Sequence, residues 1–200
     1  MITIVDYQMG NLHSVKRAFN RLGVEVRIAT KPSEILSAKK LILPGVGHFG
    51  KAMGHLKETG LHEALNEAVL VKKTLVLGIC LGMQLMTKHS EEGDCNGFGW
   101  IDATTRKFQV SGSLKVPHMG WNYIKIQKEN PLIEMESKSR FYFVHSYHVK
   151  CKDESQSIAT SDFGIDFTCM INKDNIYGAQ FHPEKSLKFG MQVLENFAKL

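Results

Sequence analysis

The segment Leu75-Val76-Leu77-Gly78-Ile79-Cys80-Leu81-Gly82-Met83-Gln84 constrains this chain more than any other: an apolar, β-like run ends in a glycine-flanked cysteine and then turns helical. Glycines two before and two after the cysteine let the backbone turn sharply without Cβ clashes. Cys80 would then stand exposed at a strand-to-helix junction, as in a nucleophile elbow. A free cysteine in an apolar strand is usually no more than a small core residue, so the spacing needs a second signal. It comes about a hundred residues on, in Tyr177-Gly178-Ala179-Gln180-Phe181-His182-Pro183-Glu184-Lys185-Ser186. Pro183 biases His182 toward an extended conformation, and a period of two puts His182 and Glu184 on one face. Cys80, His182 and Glu184 together make a nucleophile, a base and a group to orient the base.

Strand and helix patterns alternate through the first half. Ile2 to Asp6 is apolar and β-branched. Asn11 to Leu22 carries Leu12, Val15, Ala18, Phe19 and Leu22 at helical spacing before Gly23 stops it. Val24 to Ala29, Leu41 to Leu43 and Thr74 to Ile79 repeat the strand signal, and Phe49 to Val71 contains a helical stretch. This order predicts a parallel sheet covered on both faces. In the second half Phe98 to Met119, Trp121 to Gln127, Arg140 to Val149 and Ile158 to Ile171 read mainly as strands. Asn172 to Asn175 reads as a turn, and Ser186 to Leu200 as a closing helix with Leu187, Met191, Leu194 and Phe197 inward. The expected class is α/β, a mostly parallel central sheet flanked by helices with antiparallel strand additions, in one domain over residues 1–200.

A net charge of +5 raises the question of nucleic acid, but the basic residues are dispersed, with pairs such as Lys39-Lys40 and no run of five. Neither nucleic acid nor membrane is expected as a partner. The start lacks the basic and long apolar stretches of a signal peptide, and a cytoplasmic location is expected. Cys80, Cys95, Cys151 and Cys169 are too sparse for a disulfide framework, and His145-x-x-His148 has no supporting ligand cluster. No metal and no cofactor are assigned.

The strings Gly-x-Cys-x-Gly-x-Gln around Cys80 and His-Pro-Glu at 182–184 resemble the class I, triad-type glutamine amidotransferases. Asp6-Tyr7-Gln8-Met9-Gly10-Asn11-Leu12, Leu43-Pro44-Gly45-Val46-Gly47, Pro117-His118-Met119-Gly120-Trp121-Asn122 and Phe143-Val144-His145-Ser146-Tyr147 narrow the resemblance to one branch. Its members feed ammonia to a TIM-barrel cyclase of histidine biosynthesis. The departures are Gln8 where glycine is common, His48 where alanine is common and Lys51 where aspartate is common.

The resemblance implies a flavodoxin-like fold and hydrolysis of glutamine to glutamate and ammonia through a cysteinyl thioester. It also implies a heterodimer with the cyclase subunit, which forms imidazole glycerol phosphate and an aminoimidazole carboxamide ribonucleotide. It places Gly47, Gln84, His145, Ser146 and Tyr147 around the substrate, and Asn11, Trp121, Tyr142 and Lys185 at the subunit contact. Aromatics pack in cores at least as often as in interfaces, so Trp121 and Tyr142 also fit a core. The oxyanion of each tetrahedral intermediate would meet the N–H of Leu81 and one from Gly45-Val46-Gly47, either Val46 or Gly47. By the same resemblance that loop is one whose peptide reorients, a movement that glycines flanking Val46 make cheap. Two other readings stay open: a paralogue supplying ammonia for amidation in surface-glycan synthesis, and a non-catalytic regulator on the same fold.

Overall fold

The computed structural model describes residues 1–112, 114–134 and 139–200. Its parallel half is built from β1 (Ile2–Val5), β2 (Val26–Ala29), β3 (Lys40–Gly45) and β4 (Leu75–Cys80). These alternate with α1 (Leu12–Arg21), α2 (Pro32–Leu36), α3 (Phe49–Glu58) and α4 (Leu61–Asn66), and α5 (Leu81–Leu85) follows β4 directly. The later strands are β5 (His89–Ser90), β6 (Cys95–Asn96), β7 (Ala103–Lys107), β8 (His118–Tyr123), β9 (Lys125–Ile126), β10 (Arg140–His145), β11 (Tyr147–Cys151), β12 (Ser157–Asp162), β13 (Asp166–Lys173) and β14 (Ile176–Ala179). A last helix, α6 (Leu187–Lys199), packs back toward α1.

Among the described residues the main sheet runs β2-β1-β3-β4-β14-β13-β11-β7-β5-β6, with β12 and β9 attached beside β13. Its first five positions follow the flavodoxin-like order, with β14 in the fifth place, parallel to β4 and paired Gly178 to Gly78. Beyond β14 most pairings are antiparallel, so the mixed sheet matches the expected class. β8 and β10 form a separate antiparallel pair, with Tyr142 opposite Trp121. The turn expected near Asn172 closes β13 on β14 through Asp174 and Asn175, and the Asn175 amide donates to Val69 O and Thr74 O.

The strands of the parallel half are apolar because helices cover both faces: Ile4, Leu41, Ile42, Leu43 and Leu77 are all fully buried. No helix among the described residues is long and apolar enough to cross a membrane.

Two expectations need correction. Leu187 points outward, 70% exposed, because it is the first residue of α6 and has φ +49; the buried stripe is Gly190, Val193, Leu194 and Phe197. Of Phe98 to Met119, residue 113 lies outside the described residues, and only Ala103–Lys107 and the start of β8 are strand, glycines at 99 and 112 breaking the pattern. Ile158 to Ile171 is mainly strand, as expected, folded as a hairpin in which β12 turns into β13 through Phe163 to Ile165.

Candidate active site

Cys80 is the hinge between β4 and α5, and it takes φ +54 and ψ −109 itself, a conformation in which an L-residue is strained. The flanking glycines do a different job from the one their spacing suggests. A Cβ on Gly82 would collide with the carbonyl of Leu43 on β3, and one on Gly78 would lie 2.7 Å from the Gly82 carbonyl and the Met83 nitrogen. They let α5 sit against the sheet, while the cysteine carries the turn.

β14 brings the second string alongside. His182 and Glu184 come to the end of β4, both side chains almost fully buried, and His182 Nδ1 donates to Glu184 Oε1 at 2.8 Å. That bond leaves Nε2 as the ring nitrogen available for proton transfer, and Nε2 is buried without a hydrogen-bond partner. Burial depresses the basicity of the ring, but the neighbouring Cys80 sulfur and the Glu184 carboxylate outweigh it and raise the His182 pKa. The Cys80 thiol donates to Val144 O at 3.8 Å. The peptide around His182 is fixed by β10: His182 N donates to Tyr142 O at 2.9 Å and Tyr142 N to Ser186 Oγ at 3.0 Å.

A cleft of about 430 Å3 opens over the sulfur, lined by Val46, Gly47, Leu81, Gln84, Glu92, Pro117, Val144 and His145 to Tyr147. All the oxyanion and substrate residues read from the sequence therefore face it. Gly47 has φ +113, a backbone conformation open to glycine and strained for other residues. Two of the expected substrate groups are differently employed. His145 Nδ1 donates to Tyr147 O at 2.7 Å and its Nε2 accepts from His118 Nδ1 at 3.0 Å, so both ring nitrogens hold the cleft wall together. The Gln84 nitrogen donates to Tyr147 O and to Gln180 Oε1.

Glu92 was not legible in the sequence. Its Oε2 accepts from Phe49 N at 2.8 Å, and it is the one carboxylate lining the cleft among the described residues. Tyr7 was also missed. It is buried, its hydroxyl donates to Pro44 O at 2.6 Å, and burial raises its pKa. A larger groove, about 640 Å3, is lined by Lys128, Cys151, Glu154 and Phe167 among others and contains none of the candidate triad.

The expected contact residues are partly assembled. Trp121 and Tyr142 meet edge to face at 6.1 Å, Arg140 lies over the Trp121 ring and Lys185 over that of Tyr142. Trp121 is 42% exposed, which sets aside the core alternative for that residue. Asn11 caps α1, accepting from Ser14 N, and lines a narrow crevice with Val46, His182 and Glu184. Of the departures, His48 has a local reason, its Nδ1 capping α3 by accepting from Gly50 N and Lys51 N; Gln8 occupies φ +66, where glycine would be unstrained, and nothing in the structure explains it or Lys51.

A cysteine on a strand-to-helix hinge, with a carboxylate-held histidine just beyond the neighbouring strand, has the residue types and the placement that acyl transfer requires. Residues 3–200 match the family described as glutamine amidotransferase class-I, and the chain belongs to that family. Among its relatives, imidazole glycerol phosphate synthase subunit HisH 2 of Methanococcus maripaludis is 52% identical over 200 residues, covering 100% of this chain and 99% of the relative. Subunit HisH 1 of Campylobacter jejuni is 50% identical over 202 residues, covering 100% of both chains. A crystal structure titled as a glutamine amidotransferase superposes with a TM-score of 0.78 over 100% of both chains at 18% identity, a likeness of fold alone.

Proposed function

We propose that this chain is the glutaminase subunit of an imidazole glycerol phosphate synthase, hydrolysing glutamine and passing the ammonia to a cyclase subunit for histidine biosynthesis. The observation that carries the reading is the meeting of Cys80 with His182 and Glu184 under one cleft, in a chain that is 52% identical end to end to such a subunit. His182 Nε2 takes the thiol proton, and the sulfur attacks the side-chain carbonyl carbon of glutamine, whose π electrons move to oxygen. The Leu81 N–H, at the residue after the nucleophile, and a donor from Val46 or Gly47 receive that oxyanion. The intermediate collapses as His182 returns its proton to the departing nitrogen, releasing ammonia and leaving a thioester. Water, deprotonated by His182, then attacks the thioester; the C–S bond breaks and glutamate leaves. Glu184 stabilises the imidazolium throughout without taking its proton. Glu92 offers its carboxylate to the substrate's α-ammonium group.

Trp121, Tyr142 and Lys185 form the face that meets the cyclase, with Asn11 at its margin. The test mixes the chain with a cyclase subunit from one of the relatives and its nucleotide ligand, and measures glutamate release. Strong stimulation over the isolated chain is expected, with loss in Cys80→Ala of at least about 10³-fold. Synthesis driven by ammonium salt should survive that substitution. Wild-type glutamate release from Cys80→Ala would overturn the assignment.

A further inference from the structure

Gln180, which the sequence reading left without a role, is fully buried and belongs to the same period-two set as His182 and Glu184. Its Nε2 donates to Cys80 Sγ at 3.7 Å, and its Oε1 accepts from Gln84 Nε2 at 3.0 Å. The direction of these bonds is fixed from outside the pair. Gln84 Nε2 also donates to Tyr147 O at 2.9 Å, and a backbone carbonyl can only accept. The nitrogen of Gln84 must therefore face Tyr147 and Gln180, so Gln180 must turn its oxygen to Gln84 and its NH2 to the sulfur. Tyr147 O is itself held by His145 Nδ1 at 2.7 Å, which anchors the relay in the cleft wall.

We propose, resting on the glutaminase reading above, that Gln180 is a further catalytic residue: a pre-oriented side-chain donor to the Cys80 sulfur. A hydrogen bond to an ionised acceptor is about twice as strong as one between neutral groups. The contact therefore favours the sulfur most when it is negative, after His182 has taken its proton and again when the C–S bond breaks and the electron pair returns to sulfur. Among the described residues it is the one side chain that donates a hydrogen bond to the sulfur: the Cys80 thiol itself donates to Val144 O, and the His182 ring is the partner that takes its proton.

The test uses Gln180→Met, which keeps a linear side chain of similar length without the donor, and Gln180→Glu, which keeps an acceptor for Gln84 but turns oxygen toward the sulfur. In the complex with the cyclase subunit, Gln180→Met should lower kcat for glutamine hydrolysis by about 10- to 100-fold with little change in KM. Alkylation of Cys80 by iodoacetamide at neutral pH should slow in the full chain, and more in Gln180→Glu than in Gln180→Met. A purely structural glutamine predicts the reverse order, since glutamate is the closer shape. Cys80→Ala run alongside separates the two readings. If it hydrolyses glutamine, the glutaminase reading fails; if it is inactive while folded Gln180→Met reacts and turns over like the wild type, only the role of Gln180 is overturned. Should neither variant fold, the wild-type chain labelled with nitrogen-15 still decides. The Gln180 side-chain amide signals should move as the sulfur ionises and stay still in Cys80→Ala, and signals indifferent to the sulfur would overturn the proposal.

Discussion

The two sides of the cleft are held by different means. On the parallel side, the main chain of Cys80 is placed by backbone geometry: a positive φ at the cysteine and two glycines that admit α5 to within contact of β3 and β4. On the antiparallel side, Gln180 and His145 are placed by side-chain hydrogen bonds to Gln84 and His118, partners far away in sequence, and His182 by Glu184 two residues on together with the bond from its own N–H to Tyr142 O. A backbone-held group tolerates no added atom, because its neighbours are main chain and cannot step aside. A network-held group tolerates substitution but passes the cost to whichever partner is left unpaired. The first kind of site fails by not forming; the second fails by degrees.

Gly82→Ala should break this contrast if it is wrong anywhere, since it is the harshest case. The added Cβ meets the Leu43 carbonyl, so the chain should fail to accumulate as folded, soluble protein, and a variant with the wild-type melting midpoint would show that the elbow is less confined than its backbone implies. On the network side, His182→Ala should lose hydrolysis by about 10³-fold or more and Glu184→Ala by less, with both variants folded, because the orienting member is the least indispensable of a triad. Equal losses would mean that Glu184 does more than orient. A milder effect concerns pH. Burial lowers His118 from 6.5 to about 4 and His145 from 6.5 to about 3, so both are neutral in the folded chain at neutral pH. Between those values and 6.5 the unfolded chain binds more protons, so their contribution to stability is present above pH 6.5 and is lost as the pH falls below it. The melting midpoint should drop on acidification, and His118→Gln should flatten that slope. An unchanged slope would remove the histidines from the account. The smallest effect belongs to Gln8→Gly, which relieves a positive φ and should add about 0.5 kcal/mol in urea unfolding, the relief exceeding the entropy cost of glycine.

The same division decides what could be read in advance. The elbow was legible because its requirement is local: small residues at fixed distances from Cys80 leave a mark in the sequence. The alternation of strands and helices, and the pairing of His182 with Glu184 across a proline, are equally local. The relay from Asn122 through His118 and His145 to Tyr147, and from there through Gln84 and Gln180 to the sulfur, is not. Nothing in the sequence shows that these residues bond to one another, and only the β8–β10 and β4–β14 pairings join them. Gln180 did carry one unused signal, its place two residues before His182. Leu187 misled because helical spacing was counted from a residue at the mouth of α6, where the chain has not yet turned its face inward.

The position of β14 has a consequence for how the molecule comes into being. This strand lies between β4 and β13, so the middle of the sheet is closed by a segment synthesised about a hundred residues after Cys80. At ribosomal speeds that gap lasts roughly 5–20 s. Throughout it the nascent elbow faces an open seam, with a thiol but no base beside it. A chain cut short before Gln180 carries the candidate nucleophile with neither the proposed base nor the proposed donor to its sulfur, so partial products of translation should release no stray ammonia.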